Sequence, residues 1–165
     1  MASGSETAMT SGTVRGALAG AAGTTALNAA TYLDMALRGR PTSDSPQQLV
    51  EQAADRANIS IPGDQDERGN RLQGLGPLSG IAVGVTVGAV AGLVHRALSR
   101  RGRSVPAVVV VPLLGVTAMA LSDVPLKLLG ISDPAAWAAK DWASDAIPHL
   151  LYGAVTYSVL RTGAA

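Results

Sequence analysis

The sequence predicts an all-α membrane protein, a polytopic helical bundle with about four transmembrane helices and one or two amphipathic interfacial helices. Residues 75–94 form a twenty-residue segment without a charge, about the length that crosses a bilayer core as a helix. Charged residues make up only 15% of the 165, and the mean hydropathy is positive. Several segments are apolar on all sides, which favours lipid exposure over the alternative, a soluble helical bundle.

The composition excludes several kinds of site. There is no cysteine, so a disulfide framework, a thiolate zinc site and a thiol nucleophile are all unavailable. The net charge is +1, and the basic residues are dispersed with few aromatic residues between them, so we expect no nucleic-acid partner. The expected partner is the lipid bilayer itself.

The first predicted element is a short disordered tail over residues 1–12, followed by a single membrane domain over 13–162. The first span, about 13–37, is weak because Thr24, Thr25, Asn28, Thr31 and Asp34 interrupt its apolar surface. A cleaved signal peptide is the alternative for this segment. The absence of Lys or Arg before Arg15 argues against it.

A long polar connection follows, and it contains its own helix signal. Ser45, Pro46 and Gln48 have the pattern of an N-cap, a first-turn proline and a capping box. The pattern predicts an extramembrane amphipathic helix over 45–58 that lies against the membrane or against the bundle. The stretch GDQDERGNR at 63–71 is predicted as turn-rich.

Three further spans are predicted at about 75–98, 104–122 and 146–161. Asp133 and Pro134 predict the N-terminus of a short interfacial helix over 134–145, with Trp137 and Trp142 at the headgroup level. The last span is only fifteen to sixteen residues long. Either it extends the preceding helix through a bend at Pro148 or the bilayer is thinner there.

Charge predicts the topology. The segment from His95 to Arg103 contains one histidine and four arginines and no acidic residue. Positive residues in short loops stay cytoplasmic, so this connection and both termini are expected inside the bacterial plasma membrane. Arg38 and Arg40 then fall outside, against the rule.

Glycine recurs at every fourth position in the second span and at the start of the first. Four-residue spacing keeps these residues near one helix face, where they allow close backbone approach. Three roles are open: packing between the first and second spans, a homo-oligomer seam, and a pore lined by glycine backbone. The predicted packing residues are Gly12, Gly16, Gly20, Gly76, Gly80, Gly84, Gly88 and Gly92.

A set of polar residues lies near the predicted outer ends of the spans. Charges within spans are costly, so a convergent set indicates function, such as binding a divalent cation or relaying a proton. The alternative is that these groups cap helices in the headgroup region, paired with Arg38, Lys127 or Lys140. The candidates are Asn28, Asp34, Asp123, Asp145 and His149.

Motifs for known chemistry are absent from the sequence. Asp64, Asp66 and Gly69 stand at calcium-loop positions, but Arg68 occupies the fifth position and no glutamate stands at the twelfth. No Gly-Lys-Ser/Thr follows the glycine row, and there is no Gly-x-Ser-x-Gly. We therefore expect no catalytic residues, no resident metal and no cofactor, and we do not expect an enzyme.

Three strings, TTALNAATYLDMALRGRP, ISIPGD and the DPAAW to PHLLYG region, resemble a set of small integral membrane proteins of actinobacteria. The resemblance spans nearly all of residues 16–161. It implies a membrane location and a four-span plan, and it supplies no catalytic residues.

Two functional hypotheses follow. The first is a structural or accessory membrane subunit that packs through its glycine-rich helices, alone, as a homo-oligomer or in a larger complex. The second is a small transporter or channel that uses the outer-face Asp/His residues.

Overall fold

The computed structural model describes residues 3–162, and side chains from residue 12 onward. Every regular element in these residues is helical, which confirms the all-α class. The elements are α1 (Ser3–Arg38), α2 (Ser45–Arg56), α3 (Gln65–Ser99), α4 (Ala107–Leu128), a 3-10 helix (Pro134–Ala136) and α5 (Ala139–Thr162).

The four long helices run alternately up and down. Helix α1 lies between α3 and α5, and α4 packs mainly on α5. The Arg15 guanidinium on α1 donates to the Leu160 carbonyl near the end of α5 at 3.0 Å, so these two helices are antiparallel. We call the end that carries the 100–106 connection the basic end. The opposite end, which carries α2 and the 129–138 connection, is the acidic end.

Two of the helices are longer than a bilayer is thick. Helices α1 and α3 have 36 and 35 residues, about 54 and 52 Å at 1.5 Å per residue. The start of α3 packs against α2, where the Arg68 guanidinium pairs with Glu51 at 2.9 Å and with Asp55 at 3.7 Å. Helix α2 therefore lies against the bundle, one of its two predicted positions.

Helix starts differ from the sequence expectation at three places. Helix α1 begins at Ser3, so residues 3–12 of the predicted disordered tail are helical, and Met1 and Ala2 lie outside the described residues. Helix α3 begins at Gln65, inside the predicted turn-rich stretch, because the Asp64 carboxylate accepts from the Glu67 N–H at 2.9 Å. The predicted Ser45 cap is wrong: the N-cap is Asp44, without a side-chain cap bond.

The interfacial helix predicted over 134–145 is also wrong as a separate element. A 3-10 turn covers Pro134–Ala136, with the Asp133 carboxylate accepting from the Ala135 N–H at 3.1 Å. That bond, with Lys127 nearby, holds the pKa of Asp133 below its usual value. Helix α5 then runs without interruption through Pro148. The short fourth span is thus extended from its N-terminal side.

Large apolar side chains are more often exposed than buried. The buried apolar residues are few: Ala19, Leu72, Val87, Leu114, Ala118, Tyr152 and Leu160. Exposed ones occur on all four long helices, for example Leu18, Leu33, Val94, Val108 and Leu150. By length and composition, α3 and α4 are the two helices of the described chain that could cross a membrane. Helices α1 and α5 do not meet that test, so the predicted four spans are taken up below as a proposal.

Candidate functional site between helices 4 and 5

The glycine rows position the helices around the candidate site. Gly16 and Gly20 of α1 lie against Gly84, Gly88 and Gly92 of α3, close enough that a Cβ on Gly16 would lie 2.9 Å from the Gly92 Cα atom. Gly12 lies against Gly92 and Arg96 in the same seam. Backbone contact of this kind needs glycine on both helices. The structure therefore brings six of the eight predicted packing glycines together.

The other two predicted packing glycines have different surroundings. Gly76 faces α2, where a Cβ would lie 3.0 Å from the Gln47 nitrogen. Gly80 has no heavy atom of another element within 4 Å of a built Cβ, so its assignment to the α1–α3 seam is wrong. The spacing is regular, but each four-residue step advances about 40° beyond a full turn, so the row drifts away from α1 at this level.

Sequence reasoning missed a second close approach, between α4 and α5. A Cβ on Gly115 would lie 2.7 Å from the His149 carbonyl oxygen, and one on Gly153 would lie 3.1 Å from the Gly115 nitrogen. Each of these two residues is the only glycine in its helix, so no glycine repeat in the sequence indicates the contact. They bring the middle parts of α4 and α5 into backbone contact.

Three titratable side chains meet just beyond this contact. The His149 Nδ1 atom lies 2.9 Å from the Asp145 carbonyl oxygen and 3.4 Å from the Asp145 carboxylate. Asp123, from α4, lies close enough to both Asp145 and His149 to interact with them electrostatically. We call Asp123, Asp145 and His149 the carboxyl–imidazole cluster.

One oxygen of each carboxyl group in the cluster lacks a partner. The Oδ2 atoms of Asp123 and Asp145 are both buried without a hydrogen-bond partner among the described residues. Two ionised carboxylates this close repel each other, and a proton held between them removes the repulsion and supplies the missing donor. The cluster thus combines two partnerless carboxyl oxygens with an imidazole.

Two of the five predicted cluster residues lie elsewhere. The Asp34 carboxylate pairs with Arg40 at 2.6 Å and with Arg38 at 3.3 Å, and Arg38 also donates to the Ser144 hydroxyl. Asp34 is thus an ion-paired group at the end of α1, as the capping alternative predicted. Asn28 lies half-buried in the middle of α1, at a different level of the bundle.

Buried polar groups continue from the cluster along α5. Tyr152 is fully buried, and its hydroxyl donates to the Gly84 carbonyl of α3 at 2.6 Å. Thr156, one turn further towards the basic end, is also fully buried. The inward face of α5 therefore carries polar side chains.

The arrangement does not match a metal site. No three Asp, Glu or His side chains of the described residues are placed to hold a metal ion together. The divalent-cation hypothesis has no geometric support here, whereas a proton needs only the two carboxyl groups.

Comparisons with protein families, characterised proteins and solved structures found no match to this chain. The resemblance to small actinobacterial membrane proteins stays a prediction.

Proposed function

We propose that this protein is a four-span integral protein of the bacterial plasma membrane, with both termini cytoplasmic, that acts as a structural or accessory subunit. The proposal rests on the distribution of the side chains, which is the reverse of that expected in a soluble protein. Large apolar residues face outward and polar groups face inward, the arrangement expected where lipid is the solvent.

The same distribution supports membrane spans for α1 and α5, whose average hydropathy is low. On α1, Thr24 is buried while Leu18 and Leu33 are 65% and 59% exposed. On α5, His149 and Thr156 are buried while Ile147 and Leu150 are exposed. A hydropathy average adds both faces together, so it underestimates a helix whose polar residues face its neighbours.

Charge separation supports the orientation. The basic end carries Arg15, Arg96, Arg100, Arg101, Arg103 and Arg161. The acidic residues from position 12 onward all lie towards the acidic end, where the tryptophan pair has a ring-centroid distance of 5.2 Å. By the positive-inside rule the basic end is cytoplasmic. Arg38 and Arg40 count against this topology, since both pair with the single Asp34 carboxylate, which compensates only one of their two charges.

The accessory role follows from where the glycines lie. The α1–α3 and α4–α5 seams are internal, so these glycines hold the bundle together and do not line a pore. The centre of the bundle is closed by Tyr152 and Leu160. The surface left for a second copy or a larger membrane complex is then the outward apolar face.

The absence of cysteine gives a direct topology test. We expect single cysteines in place of Ser60 and Thr162 to react differently with a membrane-impermeant maleimide. With four spans and the proposed orientation, Ser60→Cys is labelled in intact spheroplasts and Thr162→Cys only after permeabilisation. If α3 and α4 alone cross, both are labelled in intact spheroplasts. Protection of Ser60→Cys would reverse the orientation.

Proton transport is the second candidate, favoured by the carboxyl–imidazole cluster. Its two partnerless buried oxygens have no evident structural use, and a carboxyl pair that gains and loses a proton is the usual start of a relay. The polar residues Tyr152 and Thr156 extend from the cluster towards the basic end. In this hypothesis Asp123 and Asp145 share the proton and His149 exchanges it.

The two candidates are separated by matched carboxyl substitutions. We expect Asp123→Asn and Asp34→Asn to give similar yields, because the first keeps a hydrogen-bond donor beside Asp145 and the second removes only a solvent-screened ion pair at the end of α1. Proton flux into proteoliposomes is measured with an internal pH dye. Loss of flux in Asp123→Asn alone supports transport. No protein-dependent flux in the unmodified chain supports the accessory role.

A further inference from the structure

A groove runs between α3 and α4 on the basic-end half of the bundle. These two helices touch far less than α1 and α3 or α4 and α5 do, and the space between them is about 770 Å³. Its walls are aliphatic: Val87, Val90 and Val94 on α3, and Val110, Leu113 and Leu114 on α4. Leu160 of α5 lies behind it. A ligand lying in the groove would therefore contact aliphatic side chains along its length.

Two arginines and a histidine lie at one mouth of this groove. Arg103, Arg161 and His95 all line it at the basic end. The His95 Nε2 atom is buried without a hydrogen-bond partner among the described residues. Neither arginine has a carboxylate partner within residues 12–162, where the acidic residues lie towards the opposite end. The mouth therefore has unmet capacity to bind an anion.

Neighbouring contacts hold this mouth in place. The Tyr157 hydroxyl donates to the Val105 carbonyl at 3.3 Å, which ties the 100–106 connection to α5. The Arg161 guanidinium lies over the Tyr157 ring, 5.8 Å from its centroid. The positions of Arg103 and Arg161 are thus coupled through one tyrosine.

We propose that this groove binds one anionic phospholipid of the cytoplasmic leaflet, with acyl chain between α3 and α4 and phosphate at Arg103, Arg161 and His95. The inference rests on the proposed membrane location and orientation. Basic pockets between transmembrane helices at the cytoplasmic side are the places where anionic headgroups bind. Arginine suits a phosphate because its planar fork donates two parallel hydrogen bonds.

Charge favours a lipid over a partner helix. The groove volume of about 770 Å³ falls within the range of about 300–1,000 Å³ typical of small-ligand sites. A neutral apolar ligand would leave the cationic mouth without a partner, and a phospholipid satisfies both parts.

The test compares lipid binding by the full-length protein in mixed nanodiscs and by native mass spectrometry. The probes are phosphatidylglycerol and phosphatidylcholine. We expect one phosphatidylglycerol per chain to survive release from the bilayer. Arg103→Gln with Arg161→Gln should weaken this binding by about thirtyfold. The control is Arg100→Gln with Arg101→Gln, which removes the same charge from the same end of the bundle but outside the groove.

Each outcome has one meaning. The proposal is supported if the control retains phosphatidylglycerol while the groove variant loses it. Val90→Trp, which fills the groove, should lose it as well. Equal losses in both arginine variants would indicate diffuse surface attraction and overturn it. Equal binding of phosphatidylcholine, or disulfide-linked Val90→Cys dimers that mark the groove as a helix interface, would overturn it too. Failure of the membrane location is detected separately, by release of the protein from membranes in alkaline carbonate.

Discussion

Gly88→Leu is expected to separate α1 from α3 and to destabilise the protein by about 3 kcal/mol or more. A Cβ on Gly88 would lie 2.6 Å from the Gly20 nitrogen and would also meet the Gly16 carbonyl. All of these atoms belong to the backbone of α1, so no side-chain rotation relieves the clash. The unfolding midpoint in mixed detergent and SDS, followed by circular dichroism, measures the loss, and gel filtration measures assembly.

Gly80→Leu is the matched control for this substitution. Gly80 lies on the same helix, eight residues earlier, and a side chain there meets open space. It replaces a poor helix former with a good one on a face proposed to meet lipid, so we expect unchanged or slightly higher stability. If both variants fold and assemble like the unmodified protein, the α1–α3 seam does not depend on close glycine contact.

Tyr152→Ala should have the other large effect, a loss of about 3–5 kcal/mol. The ring is fully buried and reaches from α5 to both neighbouring helices. Its hydroxyl bonds the Gly84 carbonyl of α3, and a Cβ on Gly23 of α1 would lie 2.8 Å from its Cδ2 atom. Truncation would leave a cavity where α1, α3 and α5 meet. The same detergent unfolding assay measures this loss of stability.

Tyr152→Phe distinguishes packing from hydrogen bonding. It keeps the ring and removes only the hydroxyl, and the Gly84 carbonyl retains its bond within the helix. We therefore expect a loss of about 1 kcal/mol or less. A loss as large as that of Tyr152→Ala would mean that the hydroxyl, and not the ring volume, holds the three helices together.

Helical class and charge polarity were readable from the chain because both depend on composition along one helix. Residues 75–94 and 107–122 are apolar on all sides, and such segments are stable as helices wherever they are placed. The basic 95–103 connection is likewise a local feature. Local capping was predicted less well: the Asp64 and Glu67 pair, three residues apart, has the spacing of a capping box and was the available signal for the start of α3.

The candidate site was predicted in part. Asp123, Asp145 and His149 were identified because charged groups near apolar segments are few, and the structure brings these three together. Asp34 satisfied the same criterion and lies in a separate ion-paired group. The sequence could not show which of these four residues meet, because that depends on how far α1 and α5 are rotated about their axes.

By itself the sequence determined that the chain is helical, that its apolar residues outnumber what a small core could bury, and that the connection over residues 95–103 is basic and contains no acid. The tertiary structure decided which glycines touch, that Gly115 and Gly153 form a second seam, and that α3 and α4 diverge to leave a groove with a cationic mouth. The physical reason is that helices which are apolar on all sides have no preferred face in their hydrophobic pattern. Their rotation and offset are chosen by close packing between partners, which are distant in sequence.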